Sequence, residues 1–225
     1  NARLRREGFN TLLLERTQLG GVQSLCSQGI IHGGTKYALQ GALTGSSEAI
    51  ADMPARWRAA LDGTGELDLR GVRLLSEAHY LWSPGTVAGN LTSFFASKAM
   101  RGRVDGVTGN ALPPALQHST FRGKVYRLAE LVFDVPSLVR TLAKQAGNSL
   151  LHAADIQPII VGGQLQALQA GDYHINAQKI VLCAGEGTEQ LLEQFGQQQP
   201  KQQLRPLHMV VVKGAALKPI YAHCL

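Results

Sequence analysis

The feature that most constrains this chain is the alternation of short apolar runs with helix-forming segments at both of its ends. "NARLRREGFN" sets Ala2 and Leu4 among charges and places Gly8 where a helix would close. "FNTLLLER" then reads as a short apolar strand ending on Glu15. Further along, "DVPSLVRTLAKQAG" carries every mark of a helix. Asp134 is a ready N-cap, Pro136 sits in the first turn, Leu138, Val139 and Leu142 form the apolar stripe, and Gly147 ends it. "KIVLCAG" follows as a buried-strand pattern, and Thr188 stands where it can cap the helix "EQLLEQFG". Helices alternating with strands predict an α/β fold.

Between these ends the texture is mixed. "GSSEAIADMPARWRAALDG" reads as helix, with Ser46 or Ser47 as N-cap, Pro54 breaking or restarting it and Gly63 closing it. "VRLLSEAHYLWSPG" and "KVYRLAELVFDV" are strand-like, and "NLTSFFASKAM" is a candidate helix. "SLLHAADIQPIIVGGQLQALQAGDYHI" alternates apolar segments with glycine turns, which predicts a small β-meander. "LHMVVVKGA" reads as a strand and "IYAHCL" as another. The order suggests a nucleotide-binding lobe interrupted by a second lobe with an antiparallel sheet. A parallel sheet would want a strand and a glycine-rich turn ahead of the first helix. The expectation is therefore that this piece lacks its true N-terminal segment.

Composition narrows the class. With 44% hydrophobic residues, 17% charged and 25 glycines, the chain suits an α/β enzyme core rather than a disordered tail. The net charge of +6 is scattered, dense only at Arg3, Arg5 and Arg6, and no aromatics interleave with it. Nucleic-acid binding is not expected. Cys26, Cys183 and Cys224 form no CxxC and no even framework, so a reducing, cytoplasmic setting is expected, with Cys183 a small core residue. No apolar run reaches transmembrane length. The seven histidines show no H-x-x-x-H spacing, and no metal is expected.

Three stretches could carry chemistry. Glu15, at a strand end, is suited to accept hydrogen bonds from ribose hydroxyls, and Arg16 beside it could lie against an adenine. In "SQGIIHGG", Gly29, Gly33 and Gly34 surround His32 and would let a flat ring approach the main chain. The plainer reading is a turn with a satisfied histidine. "AGEGT" after its strand is a helix start or a close-approach turn. "HGG" is also compatible with an esterase oxyanion loop, although no G-x-S-x-G elbow accompanies it.

"LLLERTQLGGVQSLCSQGIIHGGTKYAL", "DIQPIIVGG" and "IVLCAGEGT", in that order, resemble the FAD-dependent oxidoreductases of the D-amino-acid-oxidase superfamily. "S-x-G-I-I-H-G-G-x-K-Y" is most similar to its glycerol-3-phosphate dehydrogenase and 2-hydroxyglutarate-oxidase-type members. The resemblance implies an α/β protein: a Rossmann-like FAD-binding lobe with a β-meander, interrupted by a mixed α+β substrate lobe with an antiparallel sheet. Residues 1–70 and 131–200 would form the FAD lobe, and residues 71–130 and 201–225 the substrate lobe. It implies that Glu15 binds the adenosine ribose, that Ser24 and Ser27 lie near the pyrophosphate, and that His32, Gly33 and Gly34 pass the flavin ring. Ile156 would contact adenine through its main chain, and Ala184, Gly185 and Gly187 would form the turn after the last Rossmann-type strand. Cys26 departs from the family, where a basic residue is common. The G-x-G-x-x-G segment and the C-terminal region are not in the sequence, so the piece alone is not expected to bind FAD tightly. The implied activity is oxidation of a CH–OH or CH–NH group by hydride transfer to flavin, on a hydroxy acid, amine or polyol phosphate, with room for peripheral membrane association. The alternatives are a flavin-binding subunit without its own turnover and a hydrolase using the His-Gly-Gly loop.

Overall fold

The computed structural model describes residues 1–34, 49–84, 104–210, 214, 216 and 218–224. In chain order the helices and strands are α1 (Ala2–Arg6), β1 (Leu13–Glu15), α2 (Met53–Leu61), β2 (Leu74–Ser76), β3 (His79–Ser83) and β4 (Val104–Val107). They continue with β5 (Lys124–Leu128), β6 (Val132–Phe133), α3 (Val135–Ala146), β7 (Leu150–His152), β8 (Ile156–Val161), β9 (Gln164–Ala170), β10 (Tyr173–Ile175), α4 (Thr188–Gln194) and β11 (Ala222–Cys224). The chain is α/β, with several small sheets. It divides into two compact units, Asn1–Cys26 with Ala143–Val212, and Ser27–Leu142 with Lys213–Leu225.

In the first unit β1 and β7 pair in parallel, with Leu13 opposite Leu150 and Glu15 opposite His152. Arg5 donates to the Ser149 hydroxyl at 2.7 Å and, in a still closer contact, to the Ala146 carbonyl, which ties α1 to the end of α3. The meander is present as β8, β9 and β10 in consecutive antiparallel order, turning at Gly162–Gly163 and at Gly171, all three in the left-handed region.

The second unit holds the four-stranded sheet β11–β3–β5–β4 and the β2–β6 ribbon. β3 alternates buried and half-buried residues, so His79, Leu81 and Ser83 share its covered face. This is the period of two that a half-covered strand imposes. Ala60, Leu69, Val72 and Phe133 form a core that Ile31, Trp57, Leu138 and Leu142 complete. Trp57 stacks on Phe133 at 5.0 Å. α2 starts at Met53 with buried Pro54 in its first turn, as a restart would, and Gly63 beyond its end has φ +77°. α3 matches the sequence expectation: Ser137 N–H donates to Asp134 Oδ2 at 3.0 Å.

Four expectations are corrected. Residues 180–184 form no strand, and Val181 is 70% exposed. An extended apolar run becomes a strand only beside a partner edge, and none of the described strands pairs with it. Cys183 is consequently exposed, not core. The described part of "LHMVVVKGA", residues 207–210, is likewise not a strand, and Val210 is 89% exposed. Thr188 does not cap α4; it is the first helical residue, and Gly187 holds the N-cap position without a side chain to offer. The candidate helix in "NLTSFFASKAM" and the caps Ser46 and Ser47 lie outside the described residues.

Candidate functional site

The first unit gathers one set of expected site residues. Glu15 closes β1, and its carbonyl accepts Ala153 N–H at 3.0 Å, which fixes the strand end. The residue is half-buried, and its Oε1 accepts Thr17 N–H at 3.0 Å in an exposed hydrogen bond. An acceptor held at the carboxyl end of a parallel strand has the chemistry to take a sugar hydroxyl. Arg16, next in the chain, and Ser24 are exposed, and Ile156 opens β8. Gly185, φ +57°, faces Gln23, whose Oε1 would stand 2.8 Å from an added Cβ. The turn bearing Ala184, Gly185 and Gly187 therefore adjoins the turn bearing Ser24.

The second unit contains the other set: Ser27, exposed, then Gly29, His32, Gly33 and Gly34. Why the glycines stand here follows from the chain beside them. Phe133 N–H donates to the Gly29 carbonyl at 3.0 Å, Ile30 bridges Val132, and Ile31 N–H donates to the Leu131 carbonyl at 2.9 Å. The stretch thus runs antiparallel along β6. A Cβ on Gly29 would lie 2.2 Å from the Phe133 carbonyl oxygen, and one on Gly33 would meet Pro54 Cγ at 3.1 Å. Close packing on Phe133 requires glycine at position 29, whereas a side chain at position 33 would have to displace the Pro54 ring by a few tenths of an ångström.

That path delivers His32 and Gly33 to Glu130. Gly33 N–H donates to Oε1 at 2.8 Å, and His32 Nδ1 lies 3.0 Å from Oε2. His79, from the covered face of β3, brings its own Nδ1 to 3.1 Å from the same Oε2. His223, from β11, packs against both rings, stacked on His32 at 5.9 Å and edge-on to His79 at 4.7 Å. The His223 Nε2 is 3.1 Å from Gln28 Oε1. Glu130 and His79 are 3% and 1% exposed, whereas the His32 side chain is 25% exposed. Burial pushes the Glu130 carboxyl up, but hydrogen bonds from His32, His79 and Gly33 N–H outweigh it and hold it at about 2.

The sequence reading singles out His32 alone. Glu130, His79 and His223 are missed because they come from three separate stretches that only the sheet brings together. One signal was present: an acid inside an apolar run, "LAELVF", is costly to bury unless partnered. No metal was expected, yet the ligand atoms of His32, His79 and Glu130 lie within 4.8 Å of one another, a spacing a cation could use. The 3.0 and 3.1 Å contacts are also ordinary charge-assisted hydrogen bonds, which account for them without an ion. Among the described residues no helix is long and apolar enough to cross a membrane.

Comparison with known proteins places the chain. It is 64% identical over all 225 residues to a Pseudomonas aeruginosa protein named "Probable FAD-dependent oxidoreductase PA4991", and spans 58% of that protein. The crystal structure of PA4991 aligns over the whole chain with TM-score 0.82 and 54% identity, covering 54% of that structure. Glycine oxidase from Bacillus cereus aligns over 85% of the chain, and 53% of its own, with TM-score 0.64 at 14% identity, a likeness of fold alone. The description of one family, FAD dependent oxidoreductase (DAO), matches residues 2–222. The chain belongs to this family of FAD-dependent oxidoreductases.

Proposed function

We propose that the chain forms the core of an enzyme that binds FAD and oxidises a CH–OH or CH–NH group of a small molecule by hydride transfer to the flavin. The observation that carries this reading is the family match across residues 2–222. An acceptor held at a parallel strand end, as Glu15 is by Thr17 N–H, supports a cofactor carrying a ribose. Glu15 would hold the ribose, with Arg16 and Ile156 toward the adenine. Ser24, Ser27 and the Ala184, Gly185 and Gly187 turn would serve the pyrophosphate. Gly29, His32, Gly33 and Gly34 would line the flavin. Bound FAD supplies the two-electron acceptor. The protein's part is to position: β6 and Glu130 hold the His32 loop, and His79 and His223 wall it. A Rossmann-like FAD lobe of residues 1–70 and 131–200, interrupted by a substrate lobe of residues 71–130 and 201–225, is part of the same proposal. The oxyanion-loop alternative loses ground, because Gly33 N–H is already given to Glu130 Oε1.

The test is the visible spectrum of the full-length protein, purified without added cofactor, before and after adding FAD. A bound-flavin band is expected, with anaerobic bleaching by one class among hydroxy acids, amino acids and glycerol phosphate. A protein that stays colourless with FAD would overturn the reading. A flavin band that no small substrate bleaches would favour a binding subunit without turnover.

A further inference from the structure

An ionised carboxylate accepts hydrogen bonds and donates none. Glu130 receives Gly33 N–H on Oε1 and faces two imidazole nitrogens with Oε2, His32 Nδ1 at 3.0 Å and His79 Nδ1 at 3.1 Å. Three contacts on one 3%-exposed carboxylate call for a hydrogen on each Nδ1; in the neutral imidazole each Nε2 then carries a lone pair. The Nε2 of His79 is buried and without a partner among the described residues. A polar atom in that position invites a hydrogen-bonding partner.

We infer that Glu130 is a positioning residue that fixes the tautomer of His32 and His79, so that the neutral ring of His32, the less buried of the two, presents Nε2 as a hydrogen-bond acceptor. The group docking on that neutral ring is then a proton donor, a hydroxyl or a protonated amine, and not a carboxylate, phosphate or carbonyl oxygen. This ligand class rests on the proposed oxidoreductase reading; the tautomer itself does not. The Nε2 of the flanking His223 faces the Gln28 carbonyl oxygen. A cation shared by the three groups would demand the opposite arrangement, with lone pairs at both Nδ1 atoms.

The near-isosteric Glu130→Gln variant inverts the prediction. To keep Gly33 N–H satisfied, the amide oxygen must stay at the Oε1 position, which turns the NH2 toward both imidazoles. Each ring then has to accept at Nδ1 and carry its hydrogen on Nε2. The experiment is two-dimensional NMR of the protein labelled with 15N-histidine at neutral pH, with His32→Gln and His79→Gln identifying the two rings. The wild type is expected to give the Nδ1–H form at both rings, and Glu130→Gln the Nε2–H form at one or both. Glu130→Asp, which keeps the charge, should restore Nδ1–H at His32. A hydrogen on His32 Nε2 in the wild type, as the other tautomer or as the imidazolium, would sink the inference without recourse to any variant. So would an unprotonated Nδ1 whose signal moves on adding EDTA. An absorption spectrum of the same wild-type sample with FAD separates the two claims. A flavin band with the wrong tautomer defeats this inference alone, and the right tautomer without a flavin band defeats only the functional reading.

Discussion

Single residues set the local geometry, and the glycines of the His-Gly-Gly stretch are the sharpest case. Gly29 lies at φ +69° and a side chain there would run into the Phe133 carbonyl oxygen. Gly29→Ala combines left-handed strain with a backbone overlap that only movement of β6 can relieve. We expect it to lower unfolding stability by more than about 2 kcal/mol, read from a urea titration. A change within error would mean that the stretch does not lie along β6. Gly33→Val, by contrast, tests little about a flavin, because its side chain would strike Pro54 whether or not a ring is bound. The sequence made it plain that this stretch needs glycine. It could not tell a ring from a proline as the cause, since Pro54 is brought there by tertiary packing. The same holds for Glu130. Its apolar neighbours flag a buried acid, but nothing local names His32 and His79 as the groups that neutralise it.

Elements were legible in proportion to how local their determinants are. α3 was read correctly from end to end, because its cap, its early proline and its closing glycine all lie within the helix and its first flanking residues. Asp134 caps it through Ser137 N–H at 3.0 Å and also faces Arg73 at 3.1 Å and Arg140 at 3.7 Å. Both arginine side chains are mostly exposed, so the ion pairs are screened and the cap is the larger effect. Asp134→Asn keeps an acceptor in place and should leave the urea midpoint nearly unchanged. Asp134→Ala should lower it. Equal losses in the two variants would assign the effect to charge instead. Strands are less local. "KIVLCAG" has the composition of a buried strand but no described partner edge, whereas "IYAHCL" contains β11 because β3 lies alongside it, with His223 in register with Leu81. Composition supplies the tendency to be extended, and the neighbouring edge decides the outcome.

At the scale of the molecule, cofactor and stability are linked. A ligand that binds only the folded chain raises the unfolding free energy by RT ln(1 + [L]/Kd), about 2.7 kcal/mol at a hundredfold excess over Kd. If the proposed function is right, FAD should therefore raise the thermal midpoint, and the rise should grow with the logarithm of its concentration. Glu15→Ala removes a carboxylate acceptor that would bind the ribose, a charged hydrogen bond worth about 1.5–3 kcal/mol. That is a loss of affinity of about tenfold to a hundredfold. At the same FAD concentration the stabilisation should then fall to between about 0.4 and 1.4 kcal/mol. The unliganded midpoint should hardly move, because what that side chain holds in the protein is one local bond, Thr17 N–H to Oε1. Differential scanning fluorimetry of both proteins, with and without FAD, separates the outcomes. A parallel drop with and without FAD would make Glu15 a structural residue only. An undiminished FAD shift in the variant would place the ribose elsewhere, and no shift in either protein would remove FAD from the reading.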